Sequence, residues 1–470
     1  MRPLPLLLSI ALTLSAAHAA VDRTKKPEPD PAPAASFPDY KIVTLPSGLK
    51  VFVIEDDRKP TVTFRLLIKG GALHDGAKTG LSSFVAGLLN RGTAQRDAAT
   101  FAAESDYLGV KVEGLAGADS ISVSAGGLTK YTDQILDLLV DAALHPVFPA
   151  EQFAKEQKKA LSALEAEKQE PGKLGEKLEG KLVFGDHPYG AYRTPETVKA
   201  ITRDDLAAFH QTWFAPNNAT LAVVGDVKAD AILPLVEKAF AEWQKRDVPA
   251  EKLPAPPQLK GLTIHLVDRP GSVQSNIQIA FPGPPRNNPD MAELNVVNAT
   301  LGGGFSGRLF QNLREKNGWT YGAYSSFGMN LYAGEFSAGA ETRNAVTAPA
   351  IKETLKEIQR LRDEPVPEDE LSLQRQYNVG NYLLSLESSA RIATRVQDIE
   401  LYGLPADFYK TYARRMGEVT SAQVQELAKK YLTTENLVIV VVGEAKEIKP
   451  ELEKIGKVFV YDQQLKPAQP

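Results

Sequence analysis

The stretch Leu301–Tyr324 (LGGGFSGRLFQNLREKNGWTYGAY) holds the residues whose types and spacing most invite chemistry. Gly302, Gly303 and Gly304 open it, and such a run suits a tight or mobile loop whose backbone takes positive φ. Ser306 is placed to cap a helix in which Leu309, Phe310 and Leu313 sit at helical spacing. Gly318 should stop that helix, and Trp319–Ser326 reads as a strand rich in aromatics. Arg314 then falls near a helix end and Tyr321 at the start of a strand, so both side chains can be aimed at one spot. Spacing alone favours ordinary roles, a solvated cation near a helix C-terminus and a core aromatic. Gly302, Gly304 and Gly307 also fit G-x-G-x-x-G, but a dinucleotide site needs a strand in front of the glycines. Here Met291–Leu301 precedes them, with Leu294, Val297 and Leu301 at helical spacing, so no nucleotide site is expected.

The elements that must position these residues come from a chain of 470 residues, long enough for two or more domains. Its 43% hydrophobic and 24% charged content is ordinary for a globular protein, and a net charge of −4 gives no reason to expect nucleic acid or an anionic membrane as partner. The absence of cysteine excludes disulfides, a thiol nucleophile and thiolate-bound zinc. At the N-terminus, Arg2, the apolar run Leu4–Leu14 and the small-x-small site Ala17-His18-Ala19 read as an export signal over residues 1–20. The expected location is the periplasm, with no stable membrane insertion after cleavage. Residues 21–39 are a Pro- and Ala-rich tether.

Folding is expected from about Tyr40, with strands at Lys41–Leu45, Lys50–Ile54, Val62–Ile68, Val110–Glu113, Ser120–Ala125 and Thr220–Val224. Helices are expected at Gly80–Asn90, Ala98–Leu108, Tyr131–Leu144, Pro149–Lys168 and Arg203–Trp213. Residues 246–258 carry four prolines and form the predicted linker between domains at 40–245 and 259–465, the second opening with strands Thr263–Val267 and Asn276–Phe281. The halves repeat. Ile201–Asp226 lies over Val419–Glu444 without a gap, at an offset of 218, and Phe184-Gly185 falls on Tyr402-Gly403 at the same offset. The fold class implied is α+β, two domains of similar fold, each an antiparallel-rich sheet with helices packed on it. Asn218 and Asn298, both in Asn-x-Thr triplets, are read as structural.

From about Tyr40 to Asp462 the chain resembles the insulinase and mitochondrial-processing-peptidase family of inverzincin zinc proteases. Gly80–Thr93 (GLSSFVAGLLNRGT), Asp186–Thr194 (DHPYGAYRT), Asn217–Val227 (NNATLAVVGDV) and the LREKNGWTYGAYS segment carry that resemblance. In the family, H-x-x-E-H on a helix supplies two zinc ligands and a general base, and a later helix supplies a glutamate. Here those positions hold Ser83, Gly87, Ala86 and Ala163. Catalytic zinc takes three N or O protein ligands and keeps an open position for water. Serine is a poor ligand and alanine and glycine offer none. His74 stands alone in a loop, Glu165 would face elsewhere on its helix, and no two of the six histidines are spaced as a ligand pair.

The resemblance implies different roles for the retained residues. Arg314 would bind substrate backbone, Tyr321 would steady the tetrahedral oxyanion, and Gly302–Gly304 would lie near substrate. In two-chain members one chain carries zinc and the other carries this pair. The expectation is a zinc-less, non-catalytic subunit with no cofactor of its own. It would clasp a zinc-bearing paralogous peptidase subunit around peptide substrate, which would bind extended along a strand edge of the partner. Two alternatives stay open: a structural or peptide-binding scaffold with no proteolytic role, and a free-standing metalloendopeptidase with unusual ligands.

Overall fold

The computed structural model describes residues 36–468; the expected export signal and most of the tether lie outside them. Two six-stranded sheets divide these residues. The first contains β1 (Lys41–Thr44), β2 (Lys50–Glu55), β3 (Thr61–Ile68), β4 (Glu113–Ala116), β5 (Ile121–Leu128) and β6 (Ala219–Gly225), in the order β1-β2-β6-β3-β5-β4. The second contains β7 (Leu262–Asp268), β8 (Gln274–Gly283), β9 (Thr320–Met329), β10 (Gly334–Arg343), β11 (Leu437–Gly443) and β12 (Lys457–Tyr461), in the order β12-β7-β11-β8-β10-β9. Parallel pairs are the minority, β2 with β6 in the first sheet and β11 and β12 with β7 in the second. This is the α+β class expected, built on mixed sheets. Residues 246–258 carry neither helix nor strand.

The repeat is visible residue by residue. β6 and β11 are buried along their whole length, which is why ATLAVVG and LVIVVVG read as near-continuous apolar runs. β6 ends where Gly225 takes φ +145 and passes so close to β3 that a Cβ would lie 2.1 Å from the Thr61 carbonyl oxygen. The helix before each strand, Arg203–Trp213 and Ser421–Tyr431, begins with a reciprocal capping box, Thr202 with Asp205 and Thr420 with Gln423.

One pair of helices is exchanged. Pro171–Phe184, from the first half of the sequence, lies on β8 and β11 of the second sheet, with Leu174 and Leu178 packed on Val267, Val440 and Val442. Ser389–Tyr402 stands at the same 218-residue offset and lies on β3 and β6 of the first sheet. Its Ile392 and Val396 join Phe52, Ile54, Ala222 and Val224 in one core. The described residues therefore form one compact unit in which each half closes the other. Truncating a core leucine such as Leu178 to alanine typically costs about 2–5 kcal/mol.

Two local expectations need correction, and an element went unread. The helix Pro171–Phe184 was not anticipated. The strand expected over Val110–Glu113 is instead β4, Glu113–Ala116, with Val110 and Val112 buried ahead of it. Ser306 caps nothing: Gly307 is the N-cap residue, and Ser306 accepts from the Gln374 side chain.

Candidate functional site

Arg308–Phe310 is one helical turn, and it widens into a π-helical segment, Gln311–Lys316. Such segments are rare and recur at functional sites. Here the Trp319 N–H reaches back to the Leu313 carbonyl at 3.0 Å, and Gly318, at φ +65, caps the Arg314 carbonyl at 2.9 Å. The wide turn is braced by Asn312, whose buried amide donates to Glu353 at 2.8 Å and Glu357 at 2.7 Å. The chain then enters β9, the edge strand of the second sheet.

Arg314 and Tyr321 meet at this junction. The guanidinium carbon lies 5.3 Å from the Tyr321 ring centroid and 6.0 Å from that of Phe310, so the cation sits between two aromatic faces. Nη1 donates to the Thr320 carbonyl at 3.4 Å, and Nε lies 3.7 Å from Glu315. Tyr321 is 85% exposed, which rules out the core-aromatic role. Both residues line an open cleft of about 560 Å³, with Trp319, Glu341 and Arg343 on its walls.

The glycine run packs against another part of β9 and does not line that cleft. None of Gly302, Gly303 and Gly304 has positive φ, contrary to expectation. Gly302 and Gly303 are needed for close approach, whereas a Cβ at Gly304 would make only an ordinary contact, 3.4 Å from the Tyr377 hydroxyl. A Cβ at Gly302 would lie 2.7 Å from the Ser325 nitrogen, and one at Gly303 would lie 2.8 Å from the Ala299 Cα. The Ser325 N–H donates to the Gly302 carbonyl at 2.8 Å. Asn298 ties the same strand from its side chain, donating to the Ser325 carbonyl and accepting from its hydroxyl. This is a turn docked onto β9.

In the first half, Ser83 and Gly87 are exposed one turn apart on one face of the helix Leu81–Leu88. Ala163 is exposed on Ala150–Glu167, a helix packed against it. Ala86 is buried, and Gly114 of β4 passes so close that a Cβ there would lie 2.2 Å from the Ala86 carbonyl oxygen. The polar groups nearby are committed. Asp75, its carboxyl pushed up by burial, accepts from the Gly80 and Ser82 N–H groups at 2.7 and 2.8 Å and caps the helix. His74 packs on Trp213, ring centroids 3.9 Å apart, with Nε2 2.7 Å from Glu251. Burial pushes the His74 pKa down to about 4 and pushes the Glu251 carboxyl up. Glu165 faces solvent and pairs with Lys168. Among the described residues no three His, Asp or Glu side chains come together to hold a metal ion, so a zinc centre does not fit this face.

Comparison with known proteins bears on this arrangement. Two family models match the chain, Insulinase (Peptidase family M16) over residues 50–188 and Peptidase M16 inactive domain over residues 200–378. The chain belongs to the insulinase family of peptidases. Among its relatives, an uncharacterized zinc protease of Mycobacterium leprae is 26% identical over 399 residues, covering 83% of this chain and 88% of that protein. One from Bacillus subtilis is 24% identical over 353 residues, covering 74% and 85%. A crystal structure of a peptidase M16 inactive domain from Pseudomonas fluorescens has a TM-score of 0.80 at 28% identity, covering 86% of this chain and 98% of that one. A protease from Helicobacter pylori shares the fold, with a TM-score of 0.80 at 19% identity over 86% of this chain and 99% of its own.

In this insulinase-family chain the DHPYGAY landmark turns out to be a joint. The Tyr189 hydroxyl donates to Asp119 in the β4–β5 turn, and the other Asp119 oxygen accepts from the Leu331 N–H in the β9–β10 turn at 3.0 Å. The tips of the two equivalent hairpins thus meet across the molecule. Burial and the adjacent carboxylate push the Tyr189 hydroxyl pKa up, so it stays a donor. Sequence reasoning recognised the motif without finding its contacts, because Asp119 and Leu331 lie far from it along the chain.

Proposed function

We propose that this chain is the zinc-less, non-catalytic subunit of an exported heterodimeric metallopeptidase that degrades peptides. The single observation that carries the reading is Tyr321, an exposed phenol stacked with Arg314 in an open cleft and not packed into the core. A partner chain of the same family, bearing the zinc, would face that cleft. The Tyr321 hydroxyl would donate to the scissile carbonyl oxygen as negative charge develops on it, and Arg314 would donate to substrate backbone. Export to the periplasm rests on Arg2, the apolar run Leu4–Leu14 and Ala17-His18-Ala19.

Steady-state kinetics on the complex reconstituted with a zinc-bearing family member tests this, with the mutation on this chain alone. Tyr321→Phe keeps the ring and removes one donor, so kcat should fall ~10²–10³, roughly 3–4 kcal/mol, with little change in KM. Arg314→Ala should raise KM. A kcat within about twofold of wild type in an intact complex would make the chain a scaffold. Stoichiometric zinc with chelator-sensitive activity in the isolated chain would make it a free-standing peptidase.

A further inference from the structure

Tyr321 sits on a β-bulge. β9 and β10 pair in register through Ala340 opposite Ala323, and again at Thr342 opposite Thr320. Between those pairs β10 has one residue, Glu341, and β9 has two, Tyr321 and Gly322. The extra residue breaks the strict alternation of faces. Thr320 and Ala323 are both buried, and Tyr321 and Tyr324 are both exposed. A bulge on an edge strand increases the local twist and re-aims a side chain.

We propose that Thr320 is the positioning residue that holds this bulge and so aims Tyr321 into the cleft, an inference that rests on the reading of Tyr321 as oxyanion donor. Its hydroxyl donates to the Gly322 carbonyl at 2.7 Å and accepts from the Gly322 N–H at 3.1 Å. One buried side chain thus hydrogen-bonds both the N–H and the carbonyl of Gly322, one of the two bulge residues. The carbonyl of the same residue accepts from Arg314. Thr320 therefore touches the backbone that carries the tyrosine and the side chain of the arginine. β9 is the sheet edge, so no further strand of its own sheet holds the outer side. Gly322 completes the device, since a Cβ there would lie 2.6 Å from the Tyr324 ring.

The test compares Thr320→Val, which keeps shape and removes the hydroxyl, with Thr320→Ser, which keeps the hydroxyl. In the isolated chain, hydrogen exchange over Thr320–Ala323 should rise by about tenfold in Thr320→Val and stay near wild type in Thr320→Ser, the scale expected when the hydroxyl's bonds to the Gly322 carbonyl and N–H are lost. In the reconstituted complex, Thr320→Val should lower kcat about tenfold at nearly constant KM, Thr320→Ser should restore it, and melting should barely move. With Tyr321→Phe already present, Thr320→Val should cause no further loss of kcat. Unchanged exchange in Thr320→Val overturns the clamp. Raised exchange with unchanged kcat, where Tyr321→Phe alone still lowers kcat, overturns the positioning role and leaves the proposed function standing. If Tyr321→Phe has no effect, the proposed function fails and the positioning role falls with it. A loss that persists undiminished in the Tyr321→Phe background shows general damage and overturns the proposal too.

Discussion

At Gln397, on the helix that crosses onto the first sheet, a fully buried amide donates to the Arg65 carbonyl and to the Thr220 carbonyl and hydroxyl, at 2.8, 2.9 and 3.0 Å. Its own oxygen accepts from the Arg65 guanidinium at 2.6 Å. The equivalent position on the helix that crosses onto the second sheet is Glu179, also buried, and there the groups facing it, Glu335 and Glu176, are carboxyls too. One fold position thus holds a satisfied amide in one half and a desolvated carboxyl in the other. The candidate chemistry divides between the halves in the same way. The first half presents Ser83, Gly87 and Ala163 on its exposed helix faces, and the second presents Arg314 and Tyr321 in a cleft. The two halves share the backbone and the crossing of the helices, while side chains at some equivalent places differ in kind.

The largest effect should expose the asymmetry of the two surfaces. In the reconstituted complex, Ser83→Ala and Gly87→Ala should leave kcat within about twofold, since a Cβ at Gly87 meets open space. Tyr321→Phe should lower it by ~10²–10³. Equal losses from both halves would erase the distinction between them.

The next effect concerns the crossed helix of the second half. Gln397→Leu would leave the Arg65 guanidinium and the Thr220 carbonyl buried without their shared partner. Burial already pushes the Arg65 pKa down, a sign of how little water reaches it. Urea unfolding should show a loss of about 3 kcal/mol, the scale expected when a buried charged donor loses its acceptor. A loss below about 1 kcal/mol would mean that water enters the site and that this amide does not lock the halves together.

Much of this scaffold was legible because local chemistry repeats. The capping residues Thr202 and Thr420 and the buried runs of β6 and β11 match at one offset, and so does Phe184-Gly185 with Tyr402-Gly403. That last match marks the ends of the two exchanged helices, where Gly185 and Gly403 take φ +60 and +62. Neither exchanged helix, Pro171–Phe184 nor Ser389–Tyr402, was anticipated, and in the first Gly172, Gly175 and Gly180 lower the helix propensity. A Cβ at Gly175 would lie 2.9 Å from the Gln278 side-chain amide, which would have to shift. Nothing local says which sheet an amphipathic helix will cover, so the exchange itself could not be read. The meeting of Arg314 and Tyr321 could be read from the helix-to-strand break between them. The π-turn and the bulge that set their geometry could not, because each depends on hydrogen bonds closed by Asn312 and Thr320.

The smallest effect should sharpen the comparison of Glu179 with Gln397. Burial pushes the Glu179 carboxyl up to about 8, Ser337 opposes that shift by hydrogen bonding, and Glu335 and Glu176 add to it. Glu335 on β10 is itself pushed up by burial. A carboxyl whose folded pKa lies above its unfolded value near 4.5 favours the native state most below that value. Its contribution declines as pH rises above 4.5 and is gone above about 8. Glutamine at this position cannot ionise. Glu179→Gln should therefore flatten the fall in stability between pH 5 and 8 by about 1–2 kcal/mol, less than the full displacement implies, because a carboxylate forming at the interface draws in water. At pH 5, where the wild-type side chain is neutral, the two proteins should unfold at nearly the same urea concentration. Parallel pH profiles for wild type and Glu179→Gln would show that the carboxyl is hydrated in solution, and that the two crossed helices are packed alike.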